Sequence, residues 1–314
     1  MVLLLLACHE APAPEPPDEA VVPTAYDVGD YADDPTSSAT FDQAAIDAAL
    51  QAAVDAALSA PAQPLVEAYA DAMGYGDEAC PSLYDVDGNI FWYDYCTADS
   101  GAYFYGYGTY LVYNDTDVFG DGGSFDGAYV SGLGQITDPD GHLLEIGGTA
   151  GYASGTLGAG YPAWLTVLEG GFVWDDPDAT GTWLDAGLNP TLTIYAIDAV
   201  DLDVHYVTVE GAMGGILDAS GDPSPYPTAT FEGLVLANEI PGYFPCEEEP
   251  AGTIALRDAL GAWYEVTFDL IVTDDKLTKT GTCDGCGTVT VEGVEVGEAC
   301  ADFSGWLDWE EAPW

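Results

Sequence analysis

From residue 80 onwards the chain alternates. Stretches such as AYFYGYGTYLVY, AWLTVLEGGFVW, TLTIYAI, VHYVTVEG, TATFEGLVLA, WYEVTFDLIV and GTVTVEGVEV set apolar, β-branched or aromatic residues against small or polar ones. Period-two alternation marks strands with one buried face. The turn clusters DVDGN, DPDGH, DDPDATG, DAGLNP, DASGDPSPYP and DALG divide these runs. Strands broken by turn signals at roughly 10- to 16-residue spacing predict about a dozen antiparallel strands joined by hairpins. No helical crossover interrupts them, which argues against a parallel βαβ arrangement. A sandwich and a closed barrel both satisfy the pattern.

A different period precedes the strands. Residues 41–59 read FDQAAIDAALQAAVDAALS, with Ile46, Leu50, Val54 and Leu58 on one stripe of an alanine-rich helix. Thr40 and Gln43 form a capping-box pattern, and Pro61 ends the run. A second helix is expected from Pro64 to Met73, with Leu65, Val66, Tyr69 and Met73 inward and Gly74 as its C-cap. The predicted fold class is therefore mainly β: a large antiparallel β-sheet domain over residues 76–314, preceded by a short α-helical hairpin over residues 41–75.

Residues 9–40 show no apolar period. They are rich in proline, alanine and acid, the composition of an extended, semi-stiff spacer. Immediately before them stands Leu5-Leu6-Ala7-Cys8, which resembles the lipobox of bacterial lipoproteins. The resemblance implies that residues 1–7 belong to a signal segment that is removed. It also implies that Cys8 is lipidated, and that residues 8–40 tether the folded part to a membrane. His9, where that family's inner-membrane members carry Asp, implies the outer membrane or cell surface. No other run is long enough for a spanning helix. A transmembrane barrel is disfavoured, because spanning strands need an uncharged lipid face and would make the anchor redundant.

Charge narrows the partners. The 314 residues carry 55 Asp and Glu against 3 Lys and Arg, a formal charge of −52. Such a field repels nucleic acid, and it repels anionic lipid unless divalent cations bridge the two. Aspartate outnumbers glutamate 36 to 19, and many aspartates stand beside glycine or proline, where turns are made.

Apart from Cys8, six cysteines remain, an even number that in an exported chain predicts three disulfides. Cys80 and Cys96 flank the DVDGN hairpin and are expected to pair. Among Cys246, Cys283, Cys286 and Cys300 three pairings are open. A zinc ribbon would need a second CxxC knuckle, and redox CxxC chemistry sits at a helix N-terminus, not in a Gly-rich turn entering a strand.

Three further groups are candidates for chemistry. In NDTDVFGDGG, Asn114, Asp115, Asp117 and Asp121 offer hard oxygen ligands in a glycine-bearing loop, a candidate calcium site on Asp115, Asp117 and Asp121 without EF-hand spacing. Asp85, Asp87 and Asn89 form a weaker cluster that reads more simply as a hairpin turn. Tyr103, Tyr105 and Tyr107 alternate along one strand, so one face carries three phenols; such platforms suit sugar rings, or serve as a ladder over glycine-rich neighbours.

Catalytic signals are sparse. His142 lies in a turn, and His205 is two residues from Asp203. There is no G-x-S-x-G and no HExxH. Asp99-Ser100-Gly101 resembles the triplet of pepsin-like aspartic proteases, but that family needs two, and Asp218-Ala219-Ser220-Gly221 carries an insertion. The reading is a surface-tethered, acidic lipoprotein with a binding or structural role at the cell envelope, with glycans or envelope proteins as candidate partners and calcium as candidate ion. The alternative is a secreted carbohydrate-binding or carbohydrate-active β protein. The tether is tested by Cys8→Ser: the variant is expected to leave the membrane fraction on cell breakage, and its retention there would refute the anchor.

Overall fold

A computed structural model describes residues 40–86, 88–175, 180–183, 191–199, 204–238, 246, 249–273, 276–279 and 282–307. The lipobox-like segment with Cys8, most of the acidic spacer, Asp87 and Asp203 lie outside them. Two helices come first, α1 (Gln43–Leu58) and α2 (Ala62–Met73). Sixteen strands follow among the described residues. The first eight are β1 (Leu83–Val86), β2 (Asn89–Thr97), β3 (Tyr103–Thr116), β4 (Ser124–Thr137), β5 (Leu143–Thr156), β6 (Pro162–Asp175), β7 (Thr180–Trp183) and β8 (Leu192–Ala199). The others are β9 (Val204–Met213), β10 (Thr228–Ala237), β11 (Ala251–Arg257), β12 (Trp263–Phe268), β13 (Leu270–Thr273), β14 (Lys276–Lys279), β15 (Cys286–Val291) and β16 (Val294–Cys300). The expected helical hairpin and antiparallel β domain are both present.

All strands belong to one sheet, in the order β1-β2-β3-β4-β5-β6-β8-β9-β10-β11-β12-β15-β16, each antiparallel to its neighbours. Off this path β7 pairs with β6, β13 pairs with β11 in parallel at Ala251 and Leu270, and β14 pairs with β13. Among the described residues β1 and β16 do not pair with each other, so the path stays open at both ends. The sheet bends round the helical hairpin. Strands β4, β5 and β6 cover α2, while β16 and β11 touch α1. One contiguous core joins Ile46, Leu50 and Val54 of α1 and Leu65, Val66 and Tyr69 of α2 to the inner side chains of the sheet.

Local chemistry sets the helices with small departures from the sequence reading. Asp42, not Thr40, caps α1: its carboxylate accepts the Ala45 N–H at 3.3 Å. A short acidic side chain placed three residues before that amide competes better than the hydroxyl two residues further back. Alanines 49, 53 and 57 fill the buried stripe beside the larger residues, and Leu58 is only partly covered. Gly74 does cap α2, but in a right-handed conformation (φ −63°), without the left-handed turn usual for glycine there. Two side chains lock α1 to the far end of the sheet. Asp47 accepts the Cys300 N–H at 2.9 Å, and Gln51 Oε1 accepts the Asp302 N–H at 2.7 Å.

The bend has a sequence cause. Gly108, Gly132, Gly148 and Gly170 are successive register partners across β3, β4, β5 and β6. This row lacks side chains on the face that meets α2. A Cβ at Gly108 would sit 2.5 Å from Tyr69 Oη and 2.8 Å from Trp92 Nε1, which hydrogen-bond each other at 2.6 Å in the core. A Cβ at Gly132 would lie 2.5 Å from the Tyr107 carbonyl oxygen, and one at Gly148 would run into the Glu169 carbonyl. Glycine at such positions lets strands crease and a second element approach closely.

Five loops use one turn. In residues 98–102, 138–142, 157–161, 218–222 and 258–262, the first N–H reaches the fifth carbonyl and the fourth N–H returns to the first carbonyl. The fourth residue is always glycine with positive φ, as at Gly141 (95°). This is a three-residue loop ending in a glycine bulge, a common way to close a twisted hairpin. Three of the loops begin with aspartate. Asp138, Asp218 and Asp258 each accept the N–H groups two and four residues ahead through one oxygen, at 2.8–3.0 Å. The protease-like stretches at Asp99 and Asp218 are thus two copies of this turn.

Three disulfides are formed, Cys80–Cys96, Cys246–Cys283 and Cys286–Cys300. The expected first pair is present, and each cysteine of the CxxC motif bonds elsewhere. The 16-residue separation of the first pair corresponds to about 3 kcal/mol of loop-closure stabilisation. No described helix is long and apolar enough to cross a membrane. The crease is tested by Gly148→Ala. Overpacking against backbone costs about 1–3 kcal/mol, so its urea midpoint should fall clearly below the parent's, whereas Ser131→Ala in a neighbouring row should change it little. Equal midpoints would show that the row does not need to be bare.

Candidate functional site

Most of the inner face of the sheet is taken up by the core, which leaves the outer face and the loops as the main surfaces for a ligand. The outer face carries an unusual density of aromatic rings at the β1 end. On β2, Trp92 points inward and is buried, while Phe91, Tyr93 and Tyr95 point outward. Tyr93 and Tyr95 are 63% and 61% exposed. Register pairs Tyr84 with Phe91, Tyr93 with Tyr107, Tyr95 with Tyr105 and Thr97 with Tyr103. Directly paired residues share a face. Seven aromatic rings from β1, β2 and β3 therefore form one patch.

The patch is knit by ring edges. Tyr95 meets Tyr103 and Tyr105 edge-on, each at 5.7 Å between centroids. Burial against these neighbours, then a hydrogen bond to Tyr95, push the Tyr103 phenol up to about 12. The patch continues onto β4 and β5 by register. Tyr107 opposes Leu133, itself 59% exposed, and Leu133 opposes Gly147. Tyr105 opposes Gln135, which opposes Glu145. Partial burial raises the Glu145 carboxyl above its ordinary value. Asp94 is fixed beneath the platform by accepting the N–H groups of Ser82 and Tyr95, both at 2.8 Å.

The three tyrosines expected from sequence, Tyr103, Tyr105 and Tyr107, are thus brought together on one outward face. The four partners on β1 and β2 were missed. For three of them the signal lay in IFWYDYC, where alternation places Phe91, Tyr93 and Tyr95 opposite to the single inward tryptophan.

The aspartate-rich loop has a different use. Asp117 accepts the N–H groups of Asp121 and Gly122 at 3.0 and 2.9 Å. Asp121 accepts those of Gly123 at 2.8 Å and of Gly158, in the next hairpin, at 3.1 Å. Asp115 accepts the Ser124 hydroxyl. Between these acids, Phe119 folds back onto the outer face, 5.1 Å from Phe125 and 5.2 Å from Tyr195. There it helps cover a small second cluster of Phe125, Ala153 and Ala163. Asp117 and Asp121 thus face main-chain amides and Asp115 a hydroxyl, and the loop does not present the three as a convergent set. Among the described residues no three His, Cys, Asp or Glu side chains are grouped to hold a metal ion. Asp85 likewise accepts the Gly88 N–H at 3.0 Å, as a hairpin turn requires.

The histidines are dispersed. His142 Nδ1 lies 2.8 Å from Asp138 within its own turn. His205 Nδ1 lies 3.3 Å from Asp198, its cross-strand partner. The cysteine-rich end holds a buried acid. Glu249, 1% exposed, accepts the N–H groups of Gly285 at 2.7 Å and of Asp269 and Asp284 at 3.2 Å. It thereby ties the segment after Cys246 to the loop between Cys283 and Cys286.

Neither the known family models, nor the curated proteins, nor the solved structures contain a match to this chain. The platform therefore stands on its geometry alone.

Glu249 generates a pH prediction. Burial raises its carboxyl above the ordinary glutamate value, and its three amide donors only partly offset this. A folded-state pKa above the unfolded one means that the native state binds the proton more tightly. Stability from this group then rises as pH falls from 7 towards about 4.3. Relief of the overall negative charge acts in the same direction. The difference between parent and Glu249→Gln isolates the single group: the melting temperature of the variant should climb less over that interval. Parallel curves would exclude Glu249 as a titrating group in this range.

Proposed function

We propose that this protein is an exported, surface-tethered lipoprotein whose β domain acts by binding, with the outward aromatic face of β1, β2 and β3 as its contact surface. The observation that carries this reading is the platform itself. Folding gains little from rings left at 63% and 61% exposure. Large contiguous apolar patches on soluble domains mark places where something else binds. Tyrosine is the residue that interfaces enrich, since it adds area at low entropic cost and keeps a polar tip. Three disulfides support an oxidising compartment, in keeping with export. A formal charge of −52 argues against nucleic acid and anionic surfaces as the partner.

The test needs no knowledge of the ligand. Unanchored Cys8→Ser protein is added back to envelopes from producing cells that lack it, and the bound fraction is measured. Changing Tyr93 and Tyr95 together to alanine should reduce binding by about tenfold or more, the range for central aromatic contacts. The melting curve should remain close to the parent's because both rings are exposed. Undiminished binding by the double variant would remove the platform from the function.

A further inference from the structure

The register of the outer face suggests what kind of ligand the platform takes. One row of residues runs across the strands from Tyr93 on β2 through Tyr107, Leu133 and Gly147 to Gly171 on β6. Along it the side chains shrink from phenol to isobutyl to bare backbone. At about 4.8 Å between strands the row spans roughly 19 Å. The rows on either side lie two residues away along each strand, about 6.6–6.8 Å. One flank carries hydroxyls at consecutive strands, Thr109, Ser131 and Thr149, and ends at Glu169. Thr149 donates to Ser131 at 3.1 Å, which links these two hydroxyls, while the Thr109 hydroxyl is buried and outside that link. The other flank carries Tyr105, Gln135 and Glu145.

We propose that this row is the binding track of a neutral polysaccharide chain laid across the strands; the proposal rests on the platform being the contact surface. Rings stack on the phenols and on Leu133, and the exposed glycine backbone admits the chain where the side chains end. Donors and acceptors that recur once per strand suit a ligand whose hydroxyls recur along its length. A globular partner would more naturally meet protruding anchors than a floor that descends to glycine. Charge selects the neutral class. The chain's three cations, Arg257, Lys276 and Lys279, lie on β11 and β14, remote in sheet order from this track. Glu145 and Glu169 would repel a uronate or sulfate chain.

The experiment is co-sedimentation of the full chain with insoluble cellulose, xylan, β-1,3-glucan and starch, with pectate as the anionic control, in 0.1 M and 1 M NaCl. Retention is expected on at least one neutral polysaccharide, equally at both salts, and not on pectate. Tyr93→Ala and Tyr107→Ala should each weaken retention by about tenfold or more. Gly147→Val should also weaken it by filling the track. A Cβ there meets only the Gly171 carbonyl oxygen, at 3.2 Å, so the variant is expected to fold, which a melting curve checks.

Several results would overturn the proposal: no retention on any neutral polysaccharide, retention abolished by salt, or retention unaffected by all three variants. A dimer that dissociates on Tyr93→Ala would also overturn it, by assigning the face to a second copy. If polysaccharide retention fails while the tyrosine double variant still loses envelope binding, the ligand class is wrong and the contact surface stands. If both fail, the contact surface falls as well.

Discussion

A sheet of thirteen consecutively paired strands has two faces to account for, and the described residues supply only two α-helices, both short, to cover one of them. The constraint is met by curvature. A flat sheet of that width would leave most of its inner apolar residues in water, because α1 and α2 span only 16 and 12 residues. Bending the sheet brings β4, β5 and β6 onto α2 and β11 and β16 onto α1, so that strands far apart in sheet order share one core. The crease at Gly108, Gly132, Gly148 and Gly170 is where that becomes sterically possible. The buried Trp92–Tyr69 hydrogen bond fills the space that the missing side chains leave. Burial pushes the Tyr69 hydroxyl well above the usual phenol range, so it stays neutral and available as the acceptor.

The acidic composition gains a structural meaning from the turns. A single aspartate at the head of a three-residue loop satisfies two main-chain amides, and glutamate, one methylene longer, does not fit that ring. Repetition of the device accounts for part of the excess of aspartate over glutamate. Hydrogen bonding of this kind also lowers carboxyl pKa values. In Asp138 burial pushes upward, but hydrogen bonds from the His142 ring and from the His142 and Asp140 amides together hold the group below its ordinary value. In Asp77 the amides of Asp99 and Ala79 have the same effect. These acids remain charged through the range in which Glu249 begins to take up protons, so turns and buried acid respond to pH with opposite sign.

Much of the architecture was legible in the residues, because the informative signals are local. Period-two alternation and turn clusters each depend on a few neighbouring positions, and they gave the antiparallel β domain. Spacing of four in residues 41–59 gave α1. The register was not legible: which glycine opposes which follows from pairing strands and from bulges such as that between Tyr113 and Thr116. The crease and the outer row were therefore hidden, although every residue in them was in plain view. The platform was half visible. Tyr103, Tyr105 and Tyr107 lie on one strand and announce a shared face, whereas Tyr93 and Tyr95 join them only through pairing. The partners of the aspartate loop were hidden for a different reason. Oxygen ligands at suggestive spacing look the same in a string whether they converge on an ion or turn to their own amides.

The acid coat and the aromatic face are best understood together. Exposed rings beside a short open edge strand, with Leu83, Tyr84 and Val86 all exposed on β1, would ordinarily invite self-association. A charge of −52 opposes it. Two copies repel over about a Debye length, roughly 8 Å at physiological salt, before their rings come within stacking range. A neutral ligand feels no such barrier and reaches the platform freely. A field of that sign thus acts as a filter on what can touch the rings: it opposes polyanions and further copies of the chain alike, and it leaves uncharged chains unopposed.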